Sequence, residues 1–226
     1  MEGNTLTRRN KMIRFIVTRH GQSIANAERR FAGHSDFDLS DIGHRQATLV
    51  ADYLCKNFKI DAIYSSDLSR AFNTALPTAK RLGIEIVPTT SLREIYAGEW
   101  EGHTTDDLQV THSADFEVWR SDYANSRCTG GESTREVYER AYRAICEIAE
   151  GNDGKTIYVS THATVLRSLC LRSQGLSADR ANELPFALNA AICVFEFENG
   201  KLTPERLNIT EHLGDVITGV HRSFTK

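Results

Sequence analysis

One pattern constrains this chain more than any other. Short apolar runs stop abruptly at polar residues, and each is followed by a stretch of helical periodicity. The first run, 13–17, has the length and β-branched content of a buried strand. It gives way to Thr18-Arg19-His20-Gly21. Ser40 then reads as a helix N-cap with Asp41 in the first turn, and Ala47, Val50, Ala51 and Leu54 recur at helical spacing toward Asn57. A second strand is expected over 61–66. A helix opened by Asp67 or Ser69 follows, with Ala71, Thr74, Ala75, Ala79 and Leu82 on one face. Pro77 interrupts that helix, where a kink is expected, and Gly83 ends it. A third strand spans 84–87 and is closed by Pro88. Such alternation predicts βαβ units and a parallel sheet, whose right-handed crossovers bring every strand's carboxyl end to one edge.

Between 92 and 131 the rhythm loosens. Trp100 and Trp119 lie there among acidic residues, and 104–127 reads as short helices forming an insertion or lid. After the Gly130-Gly131 turn, Ser133 caps a long helix whose apolar face includes Val137, Ala141, Ala144, Ile145 and Ile148. A fourth strand, 156–160, ends at Thr161-His162, and a helix with Val165, Leu166, Leu169 and Leu171 follows. A further short helix is expected over 177–184. The runs 190–198 and 201–207 flank Asn199-Gly200, a strong hairpin signal, and can pair antiparallel at the sheet edge. The expected fold is therefore α/β: three layers, α/β/α, around a mostly parallel sheet with an antiparallel edge strand. A helical lid insertion covers about 103–130. Residues 1–11 are expected to be a flexible tail, and 12–226 a single α/β domain.

The bulk numbers remove several functions. A net charge of −3 over 226 residues gives no support for a nucleic-acid partner. No apolar run approaches the ~20 residues of a membrane helix, and the polar start has no signal-peptide character. Five cysteines without a C-x-x-C pair read as reduced thiols in a cytoplasmic protein. His34, His44, His103, His112, His212 and His221 show no metal-ligand spacing and are expected at the surface or in loops, with His212 packed in a closing segment. No metal and no cofactor are expected. Gly154-Lys155-Thr156 precedes a strand, so it reads as a turn and not a nucleotide loop. Glu99 and Glu101 read as solvated charges, and Trp100 as a packing residue. Oligomeric state is left open.

What remains is a constellation. His20 follows the first strand, His162 follows the fourth, and Arg70 stands near the start of the helix after the second. With Arg19 they converge on one sheet edge. Two guanidiniums and two imidazoles suit a phosphate dianion, and helix N-termini at that edge add backbone donors. A neutral imidazole nitrogen is a competent nucleophile toward phosphorus, and arginines stabilise the transition state without a metal. The leaving alkoxide needs a proton. Glu94 is the candidate donor, kept protonated by the adjacent dianion and, once ionised, able to activate water.

These segments resemble the histidine phosphatase superfamily, in its phosphoglycerate-mutase-like branch. Thr18-Arg19-His20-Gly21-Gln22-Ser23 resembles the R-H-G motif, with Asn26 and Phe31-Ala32-Gly33 after it. Leu39-Ser40-Asp41-Ile42-Gly43 with Gln46-Ala47, and Ser65-Ser66-Asp67-Leu68-Ser69-Arg70-Ala71 with Thr74-Ala75, resemble its next two segments. Leu92-Arg93-Glu94 with Gly98-Glu99-Trp100-Glu101-Gly102 resembles its acid–base segment. Gly130-Gly131-Glu132-Ser133 and Ser160-Thr161-His162 resemble its later motifs. The resemblance implies that His20 accepts the phosphoryl group and that Glu94 donates the proton. It implies that Arg19, Asn26, Arg70 and His162 bind phosphate. Ala163 stands where the family usually has glycine; its backbone N–H can still donate.

The expected activity is metal-independent hydrolysis of a small phosphate monoester. The similar mutases carry R-H-Y-G after the glutamate and a longer basic insertion; this chain has Ile95-Tyr96-Ala97-Gly98, with only Arg120 and Arg127 in the 102–131 stretch. A cofactor-dependent phosphoglycerate mutase is the alternative, and a non-catalytic phosphate-binding protein a more distant one. Specificity is expected in 31–37 and 96–127.

Overall fold

The computed structural model describes residues 11–218. Residues 1–10 of the expected tail, and His221, lie outside the described residues. Six strands form one sheet in the order β3-β2-β4-β1-β5-β6: β1 (Ile13–Arg19), β2 (Ala62–Ser65), β3 (Ile86–Pro88), β4 (Thr156–Thr161), β5 (Ile192–Glu198) and β6 (Lys201–Ile209). β1 to β4 run parallel, and β5 and β6 are antiparallel at one side. The helices are α1 (Ile24–Ala27), α2 (Asp41–Asn57), α3 (Ser69–Leu82), α4 (Thr105–Thr111), α5 (Ser113–Ser121), α6 (Thr134–Ala149) and α7 (Ala163–Ser173).

Strand side chains alternate between two cores, as a pleated sheet requires. Phe15 and Val17 of β1, Ile157 and Val159 of β4, and Cys193 and Phe195 of β5 face α6 and α7. Ile16, Tyr158, Ile192 and Val194 face α2 and α3 on the other side. This is the expected three-layer α/β/α fold. The 103–130 stretch adds α4 and α5, whose Leu108 and Phe116 join the α6/α7 core beside Trp100. Trp100 is fully buried against Phe31, Phe116 and Trp119, and its Nε1 donates to Thr129. Truncating such a side chain costs about 3–5 kcal/mol.

Local capping explains several helix ends. Ser40 Oγ accepts from Gly43 N, and Ser133 with Glu136 forms a reciprocal capping box. Gly83 ends α3 in the left-handed conformation. Asn199 and Gly200 both have positive φ, as a two-residue hairpin turn requires.

Several boundaries differ from expectation. β1 continues to Arg19 because Thr18 and Arg19 pair with Ser160 and Thr161. β3 begins at Ile86 and contains Pro88, which an edge strand tolerates because no outer neighbour needs its N–H. α3 continues through Pro77 to Leu82. Residues 178–183 form a 3-10 turn.

Candidate active site

The carboxyl ends of β1, β2 and β4 open onto a pocket of about 380 Å³, within the ~300–1,000 Å³ range of small-molecule sites. Arg19, His20, Asn26, Arg70, Glu94 and Ala163 line it. His162 lies directly behind His20, with ring centroids 5.1 Å apart, and is fully buried. All seven sequence-derived residues thus meet in one place, with His162 in the wall behind the lining.

His20 is held by a very short contact. Its Nδ1 lies 2.6 Å from the carbonyl of Gly21. A carbonyl only accepts, so Nδ1 carries the proton and Nε2 presents a lone pair. Burial, then the charges of Arg70 and Arg19, push the His20 pKa well below the usual imidazole value. His162 moves the same way, first through burial and then through Arg70. Both rings are neutral at pH 7.

The two arginines are buried cations. Arg19 donates to Ala187 O at 2.7 Å; Arg70 donates to Ser35 O at 3.0 Å and Gly33 O at 2.7 Å. Burial pulls each down to about 10, partly opposed by Glu94, so both stay charged. Arg19 Nε, Arg70 Nε and both ring nitrogens of His162 are buried without a partner among the described residues. Leaving such groups unpaired costs about 1–3 kcal/mol each. This concentration of unpaired nitrogen beside a pocket fits an oxyanion ligand.

Glu94 lines the same pocket. Its carboxylate accepts from Ile95 N at 2.9 Å and from Thr164 N at 3.2 and 3.3 Å, in the first turn of α7. The helix N–H engaged there is therefore that of Thr164, while Ala163 lines the pocket. Asn26 Oδ1 accepts from Ser23 N and from Asn189 Nδ2, which leaves its amide N–H groups to face an anion.

Sequence reasoning missed Asn189 and Phe186, both in the pocket wall. Asn189 also donates to His20 O. A signal existed. An antiparallel strand starts where its parallel neighbours end, so the residues before β5 had to reach the same edge. Arg29, Arg30, Thr105, Phe116 and Trp119 complete the rim. His34 lies in a loop, as expected, and is structural; Glu101, expected to be a solvated charge, is structural as well. His34 donates through Nε2 to Glu94 O at 2.9 Å. Glu101 accepts from His34 N, Ser35 Oγ and Ala97 N, tying the 33–35 loop to the acid segment. His212 packs on Tyr53 and bonds Ala190 O. Among the described residues no group of three or more His, Cys, Asp or Glu could hold a metal ion. No helix there is long and apolar enough to cross a membrane.

This fold, with this pocket at the carboxyl edge of its sheet, is one shared with phosphoric monoester hydrolases. The sequence model for the histidine phosphatase superfamily (branch 1) matches residues 15–210, and the chain belongs to that superfamily. It is 34% identical to phosphoglycerate mutase-like protein 4 of Arabidopsis thaliana, over 88% of this chain and 86% of that one. It is 30% identical to phosphoserine phosphatase 1 of Hydrogenobacter thermophilus, over 94% of this chain and all of that one. Among solved structures, YhfR of Bacillus stearothermophilus matches with a TM-score of 0.84 at 27% identity, covering 89% of this chain and 99% of that one.

Proposed function

We propose that the chain hydrolyses a small phosphorylated metabolite through a phosphohistidine on His20, without a metal ion. Arg19 and Arg70 take the equatorial oxygens, with Asn26 and His162 beside them. His20 Nε2 attacks phosphorus as the ester P–O bond breaks. Glu94 gives its proton to the leaving oxygen. The resulting carboxylate takes a proton from water, whose oxygen attacks phosphorus; the P–N bond breaks and inorganic phosphate departs. His20 is neutral again, with Nδ1–H still on Gly21.

The observation that carries this reading is the tautomer of His20. The Gly21 carbonyl leaves Nε2 unprotonated in a pocket walled by two cations. The five cysteines are free, which fits a reducing, cytoplasmic setting. The test is turnover of p-nitrophenyl phosphate in EDTA, wild type beside His20→Ala. Activity that survives EDTA and is lost with His20 supports the reading. Activity that needs added metal, or that persists in His20→Ala, overturns it.

One observation favours the mutase as a second reading. Arg29 and Arg30 bring cations to the pocket from just after α1, outside the 102–131 stretch. Arg30 is engaged by Glu28 and by Gly102 O. Arg29 makes no ion pair among the described residues and can meet a second anionic group of the substrate. Stable phosphorylation of His20 by a bisphosphoglycerate supports the mutase; its absence leaves the hydrolase.

A further inference from the structure

The Gly130-Gly131-Glu132-Ser133 turn has no part in the chemistry above, yet it lies against the segment that carries Glu94. A Cβ on Gly131 would meet Tyr96 O at 2.2 Å, so only glycine permits this approach. Glu132 N donates to Tyr96 O, and Tyr96 N donates back to Glu132 Oε2, both at 2.8 Å. Arg140, on α6, completes the contact. Its Nε and Nη2 donate to the two carboxylate oxygens of Glu132, at 3.0 and 2.8 Å. Its Nη1 donates to Ser91 O at 2.9 Å and Arg93 O at 2.8 Å, and its Nη2 to Glu94 O at 3.1 Å.

A guanidinium has five N–H donors in a fixed fork, and all five are used here. Three of them hold consecutive or near-consecutive carbonyls around one residue, Glu94. Arg140 does not line the pocket and touches no reacting group. Among the described residues the Glu94 carboxylate has two hydrogen-bond partners, the backbone N–H groups of Ile95 and Thr164. Its position therefore depends on where its own backbone is held, and that backbone is held from behind by Arg140.

We propose that Arg140, braced by Glu132, is a positioning residue for proton transfer by Glu94. The proposal rests on the reading of Glu94 as the proton donor. The physical basis is geometric: a displacement of about 1 Å in a reacting group can cost about 10²-fold in rate. A poor leaving group needs the proton in the transition state, whereas p-nitrophenolate hardly does. Loss of the clamp must therefore carry the signature of a misplaced acid, which a generally loosened structure does not carry. Lysine is no substitute, because one ammonium cannot span three carbonyls and a carboxylate.

The experiment compares wild type, Glu94→Gln, Arg140→Met, Glu132→Gln and the double variant Glu94→Gln/Arg140→Met. The substrates are glycerol phosphate and p-nitrophenyl phosphate. Arg140→Met is expected to lower kcat/KM, which reports the step in which the leaving group departs, at least about tenfold more for glycerol phosphate than for p-nitrophenyl phosphate. In the Glu94→Gln background it is expected to change that ratio no further, since the group it positions is gone. Equal losses on both substrates, or a ratio that falls again in the double variant, overturn the proposal.

Cooperative thermal unfolding checks that each variant is folded. Should Arg140→Met fail to fold, Glu132→Gln decides. It keeps an acceptor for Tyr96 N–H but removes the charge that braces Arg140, and it must show the same leaving-group preference in smaller degree. An unchanged ratio in folded Glu132→Gln then overturns the clamp. If Glu94→Gln itself lacks leaving-group dependence, the acid assignment fails and the clamp falls with it. If Glu94→Gln shows it and the clamp variants do not, only the clamp fails.

Discussion

The backbone N–H of Thr164 donates to both carboxylate oxygens of Glu94, at 3.2 and 3.3 Å, across seventy positions of sequence. The contact ties the acid segment to the first turn of α7, so the candidate proton donor and the helix that brings Ala163 to the pocket are fixed to one another.

Replacing Glu94 by Gln keeps an acceptor for Thr164 N–H and removes the proton donor. For alkyl phosphates kcat/KM, which reports the step in which the leaving group departs, is expected to fall by about 10²–10⁴-fold, with a much smaller loss for p-nitrophenyl phosphate. Steady-state kinetics on the two substrates decides it. Equal effects would remove Glu94 from the acid role.

Arg70 also makes two carbonyl bonds, to Gly33 and Ser35, and keeps Nε beside the pocket. Arg70→Lys retains the charge and loses the fork. A lysine cannot hold the 33–35 loop and a phosphoryl oxygen together. The expected result is a fall in kcat/KM of about 10²-fold or more and weaker protection of the enzyme by inorganic phosphate in thermal melts. Wild-type kinetics in Arg70→Lys would show that charge alone suffices.

Buried histidines set a stability window. His20, His162 and His212 all have folded-state pKa values below the usual imidazole value, chiefly through burial. At about pH 8 and above neither folded nor unfolded chain protonates them, and they contribute no pH dependence. Below it the unfolded chain binds protons that the folded chain refuses, so stability falls as pH drops. The slope is up to about 1.4 kcal/mol per pH unit for each histidine. The ion-paired carboxylates Asp67 and Glu136 have lowered pKa values and act below the usual carboxylate range, outside this window. Urea titrations between pH 5 and 7 are expected to show stability rising with pH. A flat profile would contradict the burial of these rings.

Gly43 tests the close approach that shapes the loop after β1. A Cβ there would sit 2.1 Å from Gln22 O, with backbone as the obstacle. Gly43→Ala is expected to destabilise by about 1–3 kcal/mol and to reduce turnover, because Gln22 adjoins the His20-Gly21 segment. A melt and an assay on the same sample measure both. An unaltered melting temperature would mean that the loop shifts freely.

The chain's own sequence determined the βαβ rhythm, the caps at Ser40, Ser133 and Gly83, and the Asn199-Gly200 hairpin. Each is a short-range interaction, readable because its partners lie within a few residues. Arg19, His20, Arg70 and His162 were legible for a related reason, whereas Asn26 and Ala163 came only from the family resemblance. Parallel strands must end at one edge, so His20, Arg70 and His162 had to meet. The tertiary structure alone decided the rest: Asn189 beneath His20, Phe186 in the wall, His34 and Arg140 on the Glu94 backbone. It also decided that β1 runs on to Arg19 and that Pro88 lies within a strand. These bonds join residues tens of positions apart or more. Such a hydrogen bond has no local pattern, because it depends on where two distant stretches of backbone come to rest once the sheet has closed around its cores.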